Sequence, residues 1–321
     1  MTLTRRAALG AALLPSTLAA QEAAWPTRGP IRCIVPGPAG GAGDFMGRLI
    51  SEKLTQRLAQ QVVVENRPGA ATNIGMTAVA RAAPDGYTLG IASIASNAVN
   101  RWLYRNLPFD PERDFAPVSL IALVPNLMVV PVSIGVSSVA EFVAFARRRP
   151  VNFGSVGAGS SQHLAGAQFA LANGLEMTHV PYSAAGPMNT DLIENRTQVL
   201  FQSVSAVAEL ARAGRVRALA VTGEERLPAF PEVPTLRESG MDIVSMGWFG
   251  LCTPAGVPEP ILERLHAETV AAVREPETAA RIVQSGAVPR PSSSRAQFAG
   301  FMAAESARWR PVIQATGATA D

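Results

Sequence analysis

The chain has 321 residues, 48% of them hydrophobic and 17% charged, with a formal net charge of +3, three histidines and two cysteines. That length suits two domains of ordinary size. The basic residues form no stripe and no aromatics interleave with them, which excludes a nucleic-acid binder. Scattered histidines and the absence of any Cys-x-x-Cys exclude a metal centre.

The N-terminus reads as an export signal. Arg5 and Arg6 precede the apolar run Ala7 to Leu14, Pro15 ends it, and Ser16-Thr17-Leu18-Ala19-Ala20 offers small residues to a signal peptidase. Residues 1–20 are therefore expected to be removed, leaving a net charge of +1 and placing the mature chain in the periplasm. The run is too short to span a bilayer. Thr4-Arg5-Arg6 with Leu9 also fits a loose twin-arginine pattern, so general and twin-arginine export both stay open.

Beyond the leader, strands and helices alternate. Ile31 to Pro36 reads as a buried strand, Gly37 to Gly43 as a Gly-rich loop, and Asp44 to Ala59 as a helix. Strands follow at 62–65 and, after the turn Pro84-Asp85-Gly86, at 88–92; later ones fall near 152–156, 178–182, 198–201 and 216–221. Helices such as 162–172 and 206–213 separate them. This alternation predicts an α/β architecture with mostly parallel central strands. Two extended apolar runs, 118–130 and 243–253, are too long for ordinary strands, and Pro125 and the glycines argue against helix. They are expected to cross between two lobes, 25–123 with 245–321 and 124–244, as a two-strand hinge beside a cleft. The segments 258–285 and 294–316 read as amphipathic helices on the first lobe. Cys33 and Cys252 each sit in an apolar run and are expected to be free and buried.

Three loops join a strand to a helix and could meet an anion. Pro38-Ala39-Gly40-Gly41 with Asp44 is the first; its glycines let backbone N–H groups approach a ligand, and a helix N-terminus favours negative charge. It lacks the Lys and Ser/Thr of a P-loop. The second is Gly159-Ser160-Ser161-Gln162, whose hydroxyls can cap the helix or bind a ligand. The third holds Ser93, Ser96 and Asn97. Ligands of open α/β sheets bind beyond the carboxyl ends of strands, so the three are expected to converge on one cleft. No catalytic constellation appears: Ser161 and His163 point to different sides of a helix, Gly159-Ser160-Ser161 is not a nucleophile elbow, and His179 is expected to be a strand residue satisfied by a neighbour.

The residues also resemble a known family. Ile34-Val35-Pro36 with its Gly-rich loop, Val64-Glu65-Asn66-Arg67-Pro68-Gly69-Ala70, Ala83-Pro84-Asp85-Gly86-Tyr87-Thr88-Leu89, Gly159-Ser160-Ser161-Gln162-His163-Leu164-Ala165-Gly166, His179-Val180-Pro181-Tyr182 and Trp248-Phe249-Gly250 stand in an order similar to that of the substrate-binding proteins of tripartite tricarboxylate transporters, the Bug family. The resemblance runs from Trp25 to the C-terminus. It implies a type II periplasmic-binding-protein fold, no cofactor, a monomer, a small organic acid as ligand, and a large and a small membrane subunit as partners. It implies that the ligand carboxylate is held by backbone amides, hydroxyls and bridging waters at Pro38 to Gly41 and Gly159 to Gln162, with Ala185 and Gln202 also at the cleft. Two departures stand out. Tyr182-Ser183-Ala184 replaces the family's Tyr-Lys-Gly, and Phe201-Gln202 replaces Phe-Asp, which disfavours a ligand carrying an ammonium group at that end. A receptor of the same fold that feeds a membrane signalling protein is the alternative role.

Overall fold

The computed structural model describes residues 25–317 and residue 319; the expected leader lies outside the described residues. The first half of the chain gives strand β1 (Ile31–Val35), helix α1 (Ala42–Leu58), β2 (Val62–Asn66), α2 (Asn73–Ala80), β3 (Thr88–Ser93), the short helix α3 (Asn100–Leu103) and the long β4 (Phe115–Pro131). There follow α4 (Val139–Ala146), β5 (Val151–Ser155), α5 (Ser161–Asn173), β6 (Met177–Pro181), α6 (Ala185–Ile193), β7 (Val199–Ser203), α7 (Val204–Arg212) and β8 (Val216–Val221). The chain ends with β9 (Met246–Pro254), α8 (Glu259–Arg274), α9 (Pro276–Gln284), β10 (Val288–Pro289) and α10 (Arg295–Thr316).

The sheet runs β2-β1-β3-β9-β4-β7-β5-β6, with β8 and β10 also paired to β4. Strands β1, β2 and β3 are mutually parallel, as are β5, β6 and β7, in keeping with helical crossovers between them. The centre departs from the expected parallel order: β9 runs antiparallel to both β3 and β4, and β4 antiparallel to β7 and β8. Residues 115–125 of β4 pair with β9, and residues 126–131 pair with β7 and β8. One strand thus belongs to two half-sheets, and its length follows from that double duty.

The inner strands β3, β4, β7 and β9 are packed on both faces and read as nearly continuous apolar runs, unlike the edge strands β2 and β6. One core joins α1 and α8 to β1, with Leu49, Leu54 and Leu265 buried against Ile31 and Leu251; a second, on the other face, holds Trp248, Phe298 and Trp309. Beyond the midpoint of β4, Met128 enters a core with Phe142 and Phe169 of α4 and α5, while Leu127 and Val129 enter one with Met188 and Val204. The C-terminal segment expected as one stretch breaks at Glu275, whose φ/ψ is extended (−58°, 131°), before Pro276 at the first position of α9. A residue before proline is pushed out of the helical region, which explains the break. The only lysine, Lys53, is 5% exposed on α1 and pairs with Glu275 and Glu277 at this corner, at 3.3 and 3.1 Å.

Cys33 and Cys252 are both free and buried, as expected. Cys33 lies opposite Leu89 of β3, and Cys252 lies on the far side of β3 opposite Gly90. A whole strand separates them, roughly 10 Å at the usual spacing, beyond the reach of a disulfide. Burial pushes the Cys33 thiol up to about 11. Among the described residues no helix is long and apolar enough to cross a membrane.

Candidate ligand-binding site

The loop after β1 is shaped by one carboxylate. Asp44 is buried in the first turn of α1. Its Oδ2 accepts from the Gly40 N–H at 2.9 Å and from Arg48 Nε at 3.0 Å, and its Oδ1 accepts from Asn66 Nδ2 at 2.9 Å. Burial alone would raise its pKa, but the Arg48 bond, the Gly40 amide and Asn66 outweigh that and hold it below the ordinary carboxylate range. Asp44 therefore shapes the loop that Pro38, Ala39, Gly40 and Gly41 present at the surface. Gly41 is the N-cap and has no side chain to cap with. The amides of Ala42, Gly43 and Asp44 find no acceptor among the described residues, so the positive end of α1 is open.

The loop after β5 is built differently. Ser160 is the N-cap of α5; its Oγ accepts from His163 N–H at 3.3 Å and donates to Gly157 O at 2.7 Å, so the hydroxyl is engaged within the loop. Gly159 has φ +79°, and a Cβ there would lie 2.7 Å from Leu103 Cδ1 and 3.3 Å from Val99 Cγ1, so the loop rests directly on the α3 segment. Gly159 N–H donates to His163 Nδ1 at 3.3 Å. His163 stacks on Phe153 and lies 4.4 Å from the His179 ring, and His179 Nε2 meets Ser155 Oγ at 2.7 Å, the neighbour expected for it. Burial, reinforced by His179, pulls His163 down to about 4. It is thus a neutral acceptor that holds the loop at ordinary pH. The amides of Ser161 and Gln162, and the Ser161 hydroxyl, find no partner among the described residues.

These two helix starts stand close together on β9. A Cβ on Gly43 would lie 3.2 Å from Phe249, and one on Gly247 would lie 3.1 Å from Ser161 Cβ. Phe249 and Gly247 are two residues apart on one strand, hence on the same face and roughly 7 Å apart. The floor between α1 and α5 is therefore β9 at Gly247 and Phe249. Neither residue stands among the site candidates read from the sequence: Phe249 appears there only within the Trp248-Phe249-Gly250 motif, and Gly247 only as part of an apolar run.

The remaining candidates surround this floor. Gln162 Nε2 donates to Gln202 Oε1 at 2.9 Å, and Gln202 Nε2 donates to Asn189 Oδ1 at 3.3 Å. The Ser203 N–H also donates to Gln202 Oε1, at 2.9 Å, and so fixes the orientation of that amide. Gln202 is fully buried and its polar atoms are spent inside the half-sheet. Ala185 opens α6, which carries Asn189 of the same amide network. Ser93, Ser96 and Asn97 are buried and bond to one another: Ser96 Oγ donates to Asn97 Oδ1 at 2.6 Å and lies 3.1 Å from Ser93 Oγ. Their segment is a π-helix over Ala95–Val99 rather than an ordinary helix start, and only Asn97 Nδ2 is left unpartnered. Ser93 and Ser96 thus brace one another.

Two cavities, of about 640 and 580 Å³, lie on the α10 and α9 sides of the hinge and contain none of these residues. Much of the charge in the larger one is internally paired, as Arg237 with Asp242 and Arg308 with Glu305, both at 3.0 Å.

Two half-sheets sharing β4, with β9 returning beside it, and two open helix N-termini over one floor define a two-lobed solute-binding protein. The model of the tripartite tricarboxylate transporter family receptor matches residues 46–318, and the chain belongs to that family. A UPF0065 protein of Pseudomonas sp. (strain P51), from the tcbD-tcbE intergenic region, is 37% identical over 96% of this chain and 93% of its own length. Among solved structures, R. palustris Rpa4515 with adipate is 36% identical with a TM-score of 0.83, covering 92% of this chain and 99% of that one. MatC (Rpa3494) from Rhodopseudomonas palustris with bound malate is 30% identical with a TM-score of 0.78, covering 88% and 98%. The fold is the type II periplasmic-binding-protein fold, and the family consists of substrate-binding proteins, not enzymes.

Proposed function

We propose that this chain is a periplasmic receptor that captures a small organic carboxylate between two lobes, 25–123 with 245–321 and 124–244, and delivers it to the large and small membrane subunits of a tripartite transporter. The observation that carries the reading is the meeting of two open helix N-termini, at Gly43 and Ser161, over Gly247 and Phe249. Backbone amides there bear partial positive charge and need no side-chain ordering to be aimed, so they suit a carboxylate that must later be released. The ligand-contacting set is the loop Pro38 to Gly41 with the amides of Ala42 to Asp44, and Ser161 with Gln162; Gly159, Ser160, Ala185, Gln202 and the Ser93, Ser96 and Asn97 group shape and brace these from behind. The adipate and malate held by the two structural relatives support the choice of ligand class.

The test is a thermal-shift screen of the purified protein against organic acids, followed by uptake of the radiolabelled hit in cells with and without the gene. A ligand bound only by the folded state raises the melting temperature. The reading expects a carboxylate to do so and its uptake to fall in the deletion strain. A carboxylate that binds while uptake stays normal would favour a sensory role, and a screen with no carboxylate hit would remove the reading altogether.

A further inference from the structure

The most unusual polar residue outside the two loops is Asn126, at the midpoint of β4. It is fully buried, and neither its side-chain Nδ2 nor its Oδ1 finds a hydrogen-bond partner among the described residues. An amide left unpaired in this way is costly, and leaving both ends unpaired is rare in a folded protein. The backbone of Asn126 is well engaged: its N–H donates to Thr222 Oγ1 at 2.8 Å and its carbonyl accepts from Thr222 N–H at 2.9 Å. The strand itself therefore does not need this side chain.

Strand alternation fixes the side of the sheet that Asn126 occupies. Val124 packs into the core of α1, and Met128 into the core of α4 and α5. Leu127 and Val129 point the other way, towards Met188 and Val204. Asn126 lies between Val124 and Met128 on the α1 and α5 face. Val124 is opposite Gly247, the residue on which Ser161 rests. The side chain is thus placed at the floor between the two helix N-termini. Ser245, two residues before Gly247, is also buried with an unpartnered Oγ, and its N–H donates to Thr222 O at 2.9 Å. Both orphaned groups are tethered through the same Thr222.

We propose that Asn126 is the specificity-determining residue of the cleft, reading a neutral hydroxyl beside the ligand's carboxylate, with Ser245 as a second contact, so that the receptor prefers hydroxy acids to their unsubstituted counterparts. This rests on the carboxylate-receptor reading above. A carboxamide presents a donor and an acceptor side by side, and a hydroxyl both donates and accepts, so it can satisfy the two ends that stand unpaired. A second carboxylate accepts only and would face Oδ1 with lone pairs. An ammonium donates only and would want a carboxylate, whereas Gln162, Gln202 and Asn189 are neutral amides and Asp44 is engaged with Arg48.

The experiment is titration calorimetry of the wild type, Asn126→Leu and Asn126→Asp with matched pairs of acids: malate and succinate, 2-hydroxyglutarate and glutarate, lactate and propionate. Melting temperatures of the ligand-free proteins are measured alongside. The wild type is expected to bind the hydroxylated member of its best pair at least tenfold more tightly. Asn126→Leu should abolish that preference while melting no lower than the wild type, since it replaces an unpaired buried amide by an apolar group of similar size. Asn126→Asp, nearly isosteric, should lose binding through charge repulsion. The proposal is overturned if the wild type shows no preference, if Asn126→Leu retains it, if Asn126→Asp binds as the wild type does, or if Asn126→Leu melts several degrees lower, which would make the side chain structural. If no acid in a broad panel binds the wild type, the carboxylate reading itself fails and this inference falls with it.

Discussion

Adjacent serines at the start of α5 have different work. The Ser160 hydroxyl caps its own helix and closes on Gly157, whereas the Ser161 hydroxyl is uncommitted. Ser160→Ala should lower stability by about 1 kcal/mol, the usual cost of losing a cap. Ser161→Ala should leave the melting temperature alone and weaken ligand binding by about 1 kcal/mol, roughly fivefold. Arg148→Ala, on an exposed turn after α4, serves as the control that changes neither. His163 makes a pH prediction of definite sign. Its pKa is lowered from 6.5 to about 4 on folding, so the unfolded chain binds the proton more readily. Stability from this group is complete above about pH 6.5 and is lost as pH falls towards 4, by about 1.4 kcal/mol per unit within that window. His163→Asn keeps an acceptor for the Gly159 N–H and removes the titration, so its melting temperature should fall less between pH 7 and pH 5 than that of the wild type. An equal fall would show that other groups carry the acid sensitivity.

At the scale of elements, the sequence was most legible where local chemistry decides. Gly37 to Gly43 reads as a loop opening a helix, and Ser160 as a cap, because turn and cap preferences are short-range. The two long apolar runs read as strands because Pro125 and the glycines forbid helix, and β4 and β9 occupy those places; β4 pairs in both half-sheets, whereas β9 pairs only with β3 and the first part of β4. What stayed hidden depends on partners distant in sequence. The antiparallel insertion of β9 between β3 and β4 leaves no local mark, since a strand buried on both faces is apolar whichever way it runs. Gly247 could be recognised as part of the floor only once Ser161 was seen against it. The glycines of β9 illustrate the same point energetically. A Cβ on Gly250 would lie 2.2 Å from Phe298 Cζ and 2.9 Å from the Ser119 carbonyl oxygen. Gly250→Ala should therefore overpack the seat of α10 and destabilise the fold by about 1–3 kcal/mol, measurable by denaturant unfolding. Wild-type stability in that variant would mean that α10 shifts freely on β9.

For the whole molecule, the sharing of β4 explains why helix N-termini gather at the hinge. The parallel strands of both half-sheets run with their carboxyl ends towards the middle of β4, so the helices that follow begin there. Charge is sparse on the resulting floor, and on the proposed reading a carboxylate there is left to backbone amides. Placing Gly40→Leu in the first loop should block entry without unfolding the chain, because nothing lies within 4 Å of the position a Cβ would take there; the positive φ of +78° adds strain, so its melting temperature should be checked beside its affinity. The measurement that bears most directly on the account is a crystal structure of the protein with an acid recovered from the thermal-shift screen. The account predicts a carboxylate within hydrogen-bond distance of amides from Ala42 to Asp44 and from Ser161 to Gln162, over Gly247 and Phe249. A carboxylate bound instead in the cavity beneath α10, among Arg274, Arg290 and Arg308, would contradict it.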